Sequence, residues 1–464
     1  MQYIENRTFD EIEIGETAEL VRTLEKGDID LFATMSGDVN PEHLDPEFAK
    51  DNRFHKIIGH GMWGGALISA VLGTQLPGPG TIYIDQSLHF KKPVGLGDEV
   101  RVRVTVVSKE EATKKVTLDC GMFDHNGAAL IVGQAVVLAP TRKVRRPRAV
   151  LPEITIHDQG QLFRGFIDRA KTLPAVRIGV VHPCDAVSLG GAVDAMHEGL
   201  IVPIFIGPRV KIEAAARAAN ISIEGIEIVE VEHSHAAATC AVSMVREGVI
   251  DALMKGSLHT DELMAAVVSK QGGLRTERRL SHAFVFDVPH YSKPLLITDA
   301  AINIYPSLED KRDIIQNSIE LAQAIGIEVP KVAILSAVET INPKLNSTIE
   351  AAALCKMADR GQIVGGLLEG PLAFDNAISR AAAKTKKIES AVAGDADILL
   401  APDLEAGNMI AKQLVYLAGA DGAGIVIGAR VPIVLTSRAD GALSRVTSCA
   451  LAQLLHHHGK AVQS

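Results

Sequence analysis

A chain of 464 residues, 47% apolar and 22% charged, is long enough for about three ordinary domains and can bury sizeable cores. Its formal net charge of -9 excludes a broad nucleic-acid surface, although a local pocket for a phosphorylated metabolite stays compatible with it. No run approaches the ~18 apolar residues of a membrane helix, Met1–Glu13 has no secretory-leader pattern, and the five cysteines form no CxxC pair, so a cytoplasmic chain with reduced thiols and no membrane partner is expected.

The first segment bearing chemistry is Phe32-Ala33-Thr34-Met35-Ser36-Gly37-Asp38-Val39-Asn40-Pro41-Glu42-His43, which sets a carboxylate and an imidazole five residues apart. Gly37, Asn40 and Pro41 are expected to break any regular helix, leaving Asp38 and His43 on a shaped loop. By spacing alone, a structural turn with Asp38 capping the backbone is the favoured reading. Next, Ile58-Gly59-His60-Gly61-Met62 opens the apolar segment 61–76, too long for a typical strand and predicted to be a helix. Free N–H groups at such a glycine-rich helix start can hold a developing negative oxygen.

Period-two strands follow at 83–90, along Val100, Val102, Val104 and Val106, along Val116, Leu118, Cys120 and Met122, and at 128–138. Asp124-His125-Asn126-Gly127 supplies hairpin-turn chemistry between the last two. One helix wrapped by a strongly curved antiparallel sheet is expected, a β-rich α+β domain over 1–140. The stretch 141–154, carrying Arg142, Lys143, Arg145, Arg146 and Arg148 between prolines, reads as an exposed linker rather than a nucleic-acid arm.

From 155 to 464 short apolar runs alternate with helical stretches. Strands are predicted at 177–181, 202–206, 226–231, 252–254, 283–286, 295–297, 332–335, 363–368, 398–400 and 433–435. Runs apolar throughout suit parallel strands buried on both faces, and the length predicts two α/β lobes with a cleft. Polar clusters fall at the strand ends: Lys255-Gly256-Ser257, Arg275, Arg278 and Arg279, Thr298-Asp299, Asp375-Asn376, and Thr436-Ser437-Arg438-Ala439-Asp440. Open parallel sheets bind ligands at such ends. Each cluster also has a bland reading, with Ser257 and Asp299 as helix caps and Arg438 in an ordinary ion pair. His456-His457-His458 reads as a surface feature ending a helix.

Hydration of an α,β-unsaturated thioester needs a base for water, an acid for the α-carbon, and donors for the thioester oxygen. Asp38 and His43 have the chemistry for the first two, and Gly61 with its neighbours for the third. The blocks FATMSGDVNPEH, GHGMWGGALIS and LPGPGTIYIDQSLHFKKPVGLGDEV resemble the MaoC-type (R)-specific enoyl-CoA hydratases over residues 8–140. The resemblance implies a hotdog fold, with Asp38 and His43 as the catalytic pair acting on one bound water. Gly64-Gly65-Ala66 stands where that family often has a small polar residue, beside the bulk of Trp63.

The second half resembles the phosphate acetyltransferase and phosphate butyryltransferase family through MKGSLHTDELM, LITDAAINIYP, LSAVETINPKLNSTIEAA, LEGPLAFDNAIS, ADILLAPDLEAGNMIAKQL and PIVLTSRADGALSR. This implies two α/β lobes related to isocitrate dehydrogenase and the reaction acyl-CoA + phosphate ⇌ acyl phosphate + CoA. Neither a metal nor a permanently bound cofactor is implied; coenzyme A thioesters and inorganic phosphate are substrates. Matching positions make Arg438 the phosphate ligand and Ser437 the group at the tetrahedral state, with Lys255, Ser257, Arg279, Asp299, Asp375 and Asn376 as substrate-binding candidates. Ser444 stands where acetyltransferases of the family carry an aspartate base toward the thiol.

The chain is therefore expected to be a bifunctional enzyme and a homo-oligomer. The alternative expectation makes the first domain only an acyl-CoA-binding or dimerisation module. A dehydrogenase is disfavoured by the lack of a GxGxxG turn after a strand. Acyl chain length, direction and the identity of the thiol base stay open.

Overall fold

The computed structural model describes residues 3–51, 53–151, 154, 160–436 and 440–463. The chain divides into two compact units, Met1–His157 and Asp158–Ser464.

In the first unit, strands β1 (Tyr3–Glu5) and β2 (Thr17–Thr23) precede helices α1 (Lys26–Ser36), α2 (Pro41–Leu44), α3 (Pro46–Asp51) and α4 (Gly61–Thr74). Then come β3 (Ile82–Gln86), β4 (His89–Phe90), β5 (Glu99–Glu110), β6 (Lys115–Asp124), β7 (Ala129–Leu138) and β8 (Arg145–Pro147). The antiparallel sheet runs β2-β5-β6-β7-β3, with β4 also on β7. Its register sets Val102 opposite Met122, Val104 opposite Cys120 and Val106 opposite Leu118, so both apolar rows face the same way. Ile68, Val71 and Leu72 of α4 fill that face. The helix sits close: a Cβ on Gly64 would come within 2.4 Å of the Ile131 Cδ1. This is a hotdog domain. The predicted hairpin turn holds, with Asp124 Oδ1 accepting from the N–H groups of Asn126 (2.9 Å) and Ala128 (2.8 Å).

The basic stretch 141–154 is not linker throughout. Arg145–Pro147 pairs antiparallel with Tyr3–Glu5. Lys143 reaches Glu5 and Glu11 at 3.1 and 2.9 Å, and the Asn6 Oδ1 accepts the Val144 N–H. Acidic residues of the amino-terminal segment thus draw part of the basic one into a strand.

The second unit holds β9 (Val176–Val181), β10 (Ile201–Gly207), β11 (Glu227–Glu230), β12 (Ala252–Lys255), β13 (Ser281–Asp287) and β14 (Leu295–Thr298). It continues with β15 (Lys331–Leu335), β16 (Leu367–Leu372), β17 (Ile398–Leu400), β18 (Asp421–Ile427) and β19 (Ile433–Val434). The covering helices are α5 (Gln161–Lys171), α6 (Ala186–His197), α7 (Arg209–Ala219), α8 (Ser234–Arg246), α9 (Thr260–Val267) and α10 (Leu308–Ala324). After them come α11 (Asn346–Asp359), α12 (Phe374–Ile378), α13 (Arg380–Thr385), α14 (Leu404–Ala418) and α15 (Ala442–Gln463).

Among the described residues these eleven strands form one sheet, β11-β10-β9-β12-β19-β18-β13-β14-β17-β15-β16. Two parallel sets, one per lobe, are joined by β18 and β13. Each of these runs antiparallel to both of its neighbours, where an all-parallel pattern was expected. β18 (Asp-Gly-Ala-Gly-Ile-Val-Ile) was not anticipated, because its glycines read as loop. They are needed here: a Cβ on Gly422 would meet the Phe286 ring at 2.6 Å, and one on Gly424 would meet the Leu435 carbonyl at 2.8 Å. The run predicted at 363–368 is also displaced. Ile363 is buried before the strand begins, and pairing starts at Leu367.

Candidate functional site

In the first unit, α1 ends at Gly37, whose φ of 74° lets the chain turn sharply out of the helix. Asp38 follows in an exposed turn, its Oδ1 accepting from the Asn40 N–H at 3.3 Å. Asn40 caps α2 and Pro41 occupies its first turn, so His43 stands on a short helix and not on the irregular loop expected. The His43 Nδ1 lies 2.8 Å from the Ile58 carbonyl. A carbonyl only accepts, so Nδ1 carries the hydrogen and the neutral ring keeps a bare Nε2.

His60 completes the cluster, and its side chain was not singled out from the sequence. It is 4% exposed and directly precedes α4. Its Nε2 lies 3.1 Å from the backbone carbonyl of Asp38, and its ring centroid is 4.0 Å from that of His43. Its Nδ1 is buried and has no hydrogen-bond partner among the described residues. One ligand atom each from Asp38, His43 and His60 lies within 4.8 Å of the others. Gly61 opens α4, where first-turn N–H groups have no partners within the helix. A side chain at 61 would press on the Phe90 ring at 3.2 Å, so glycine keeps this helix start open beside apolar Met62 and Phe90.

In the second unit the candidates fall into two groups. Lys255 and Ser257 lie where β12 ends, beside the ends of β9 and β19. The Ser257 hydroxyl donates to the His182 carbonyl at 2.8 Å, so it accepts the imidazole N–H from Nδ1 at 3.0 Å. His182, another residue the sequence did not flag, is held below its ordinary pKa by burial and then by Lys211. Ser437 and Arg438 lie outside the described residues. On either side of them, Thr436 is half-buried, while Asp440 and Ser444 line a cavity of about 250 Å³ with Phe284, Phe286, Ala411 and Val415. α15 begins at Ala442, so Asp440 lies just ahead of the helix that carries Ser444.

The remaining candidates lie apart from these, Asp299 where β14 ends with Arg279 ahead of β13, and Asp375 and Asn376 just after β16. Asp299 is 3% exposed, and its carboxylate is already bound. Oδ1 accepts from the N–H groups of Ala301 (2.8 Å) and Ile302 (2.9 Å), and Oδ2 from the Asn303 Nδ2 (2.6 Å) and the His282 N–H (3.2 Å). Its work is to shape this loop rather than to meet a substrate. Asn303 passes the order on, its Oδ1 accepting from the Arg279 Nε at 2.7 Å. Arg279 keeps half its side chain in solvent, 3.6 Å from Asp310. Asn376 is fully buried in this structure, and Asp375 sits in the first turn of α12. The buried His282 is pushed down to about 4 by desolvation, against the pull of Asp299. A larger cavity of about 660 Å³ opens where β12 and β19 begin. Its acidic Asp251, Glu277 and Glu320 balance its basic Arg278, Arg430 and Lys460, and of the strand-end clusters read from the sequence it takes in Arg278.

No helix among the described residues is long and apolar enough to cross a membrane. Residues 232–453 match the phosphate acetyl/butaryl transferase family and residues 11–122 the MaoC like domain. The chain is 61% identical to a phosphate acetyltransferase of Rhizobium meliloti over 290 residues, 62% of this chain and 92% of that one. A branched-chain phosphotransacylase from Enterococcus faecalis superposes with a TM-score of 0.54 at 30% identity, over 61% of this chain and 99% of its own. An R-hydratase from Pseudomonas aeruginosa is 41% identical, with a TM-score of 0.33, over 33% of this chain and 99% of its own.

Proposed function

Because this chain belongs to the phosphate acetyl/butyryl transferase family and carries a MaoC-like domain ahead of the transferase, we propose that it performs two reactions on coenzyme A thioesters. The transferase half moves an acyl group between CoA and phosphate, and the high identity to one acetyltransferase across nearly all of that relative's length carries this reading. The thiolate leaves an acyl-CoA as a phosphate oxygen forms the new bond to the acyl carbon. Arg438 would hold the phosphate and Ser437 the tetrahedral oxygen, with Lys255 and Arg279 as further anion contacts. The cavity beside Ser444 suits the acyl chain, since Phe284, Phe286, Ala411 and Val415 line it. Asp440, on the same wall, is the carboxylate we assign to the thiol in place of the absent aspartate. Phosphate-dependent CoA release from acetyl-, butyryl- and branched thioesters tests the assignment. Asp440→Asn should cut turnover with each, and an unchanged rate would remove Asp440 from the mechanism.

For the first unit the proposal is reversible hydration of a trans-2-enoyl-CoA to the (R)-3-hydroxyacyl-CoA. The carrying observation is the approach of Asp38, His43 and an open helix start within one small cluster. The bare Nε2 of His43 and an ionised Asp38 can each accept a hydrogen of one water, turning its oxygen toward C3. As the C–O bond forms, one proton passes to the pair and returns to C2 when the enolate collapses. Meanwhile the first N–H groups of α4 bind the thioester oxygen. No bound cofactor enters either reaction. Self-association, which we propose for both halves, is checked by light scattering. Asp38→Asn should abolish the loss of crotonyl-CoA absorbance while phosphate-dependent CoA release continues. If wild-type protein leaves that absorbance unchanged, the domain is a binding or dimerisation module instead.

A further inference from the structure

We propose that His60 is a third ligand of the reacting water, acting through Nδ1, while its Nε2 positions the loop that carries Asp38. The inference rests on the hydratase reading of the first unit. Two observations separate His60 from an ordinary buried histidine. Its Nε2–H is committed to the Asp38 carbonyl at 3.1 Å, which makes Nδ1 the bare nitrogen of the neutral ring. That nitrogen is buried and has no partner among the described residues, in a ring packed against His43, where a polar atom without a partner is costly unless something supplies one.

The spacing indicates what supplies it. One ligand atom each from Asp38, His43 and His60, no more than 4.8 Å apart, can all lie about 2.8 Å from one point, the length of a hydrogen bond to water, and with the His60 Nε2 committed to a carbonyl we take Nδ1 as the atom it offers. A tetrahedral metal would draw the same atoms to about 2.0–2.1 Å from itself and hence closer to one another. Proton counting adds a second consequence. A water has two hydrogens for three acceptors, so one acceptor is left over at any moment. That spare acceptor can take the proton the water loses and return it to C2, as addition across a double bond requires.

The test exploits side chains that copy one nitrogen each. In His60→Asn the amide oxygen stands near the place of Nδ1, and in His60→Gln the amide nitrogen stands near that of Nε2. Crotonyl-CoA hydration is measured in the full chain, with phosphate-dependent CoA release and thermal unfolding as checks that each variant is folded. We expect His60→Ala and His60→Gln to lower kcat about tenfold or more with KM changed less than about threefold, and His60→Asn to recover much of the loss. If His60→Gln matches wild type and His60→Asn is as poor as His60→Ala, His60 only holds the Asp38 loop and the water role is wrong. Unchanged kcat in all three variants overturns both roles. Should wild type and Asp38→Asn alike leave crotonyl-CoA untouched, it is the hydratase reading that has failed, and this inference falls with it.

Discussion

Replacing Gly256 by alanine probes the tightest backbone approach at the transferase strand ends. The added Cβ would lie 2.3 Å from the Val181 carbonyl oxygen and 2.5 Å from that of His182. Both obstacles are backbone, so the end of β12 must retreat by at least ~0.7 Å to reach a tolerable contact. That retreat stretches the Gly256 N–H to Val181 and Ser257 N–H to His182 bonds, both 2.9 Å, and the 2.8 Å bond from the Ser257 hydroxyl. Overpacking costs about 1–3 kcal/mol and each weakened hydrogen bond up to about 1 kcal/mol, so a loss of roughly 3–5 kcal/mol is expected. A displacement of this size at Lys255 and Ser257 should also lower kcat/KM for phosphate-dependent CoA release by about 10- to 100-fold. Scanning calorimetry and the coupled assay measure the two effects. Gly165→Ala, on an exposed helix position with nothing within 4 Å of the new methyl, is the matched control and should be neutral or slightly stabilising. If Gly256→Ala behaves like this control in both measurements, the close approach of β12 to β9 does not constrain the site.

Two further substitutions test charges that the fold holds in place. Burial works to raise the Asp395 carboxyl, but hydrogen bonds from Lys331 and Lys293 outweigh it and hold it below its ordinary 3.8. The stability it contributes is thus fully present above about pH 4 and fades as pH falls toward its lower folded value. Asp395→Asn should therefore lower the urea midpoint at pH 7, with the gap to wild type closing in acid; a pH-independent gap contradicts this. Lys311, 4% exposed, pairs with Glu350, whose other oxygen accepts from the Asn346 Nδ2 at 2.7 Å. Lys311→Ala leaves the partly buried Glu350 carboxylate without its cation and should cost about 1–3 kcal/mol, whereas Lys311→Met with Glu350→Leu should cost less. Equal losses in the two variants would show that the pair is not what the lysine is for.

Much of the first unit was readable because one-sided burial prints itself as alternation: the valines of β5 and the apolar row of β6 needed no tertiary information. The apolar stretch of α4 was equally plain from its length. Asp38 and His43 were found because they lie close in sequence. His60 was not, since its role comes from a carbonyl 22 residues away and a ring on another helix. Ser257 and His182, 75 residues apart, illustrate the same limit in the second unit. The strand β18 was hidden for a different reason. Its glycines are required by two phenylalanine rings and a neighbouring carbonyl, and without those neighbours they signal a turn. Burial also reassigns Asp299, which looked like a ligand at a strand end but spends its lone pairs on its own loop and on the His282 N–H of β13.

The antiparallel pair in mid-sheet has a geometric consequence for a two-substrate reaction. Counted along the ladder, β12 and β15 point opposite ways and stand six steps apart. At about 20–25° of twist per step the ribbon turns through roughly 130° between them, most of a half-turn. Reversal and rotation largely cancel, so the carboxyl ends of the two parallel sets swing round toward the same side. A uniformly parallel sheet of the same width would fan its two sets of ends apart. The reversal at β18 and β13 thus lets one continuous ribbon keep the ends of both parallel sets from fanning apart.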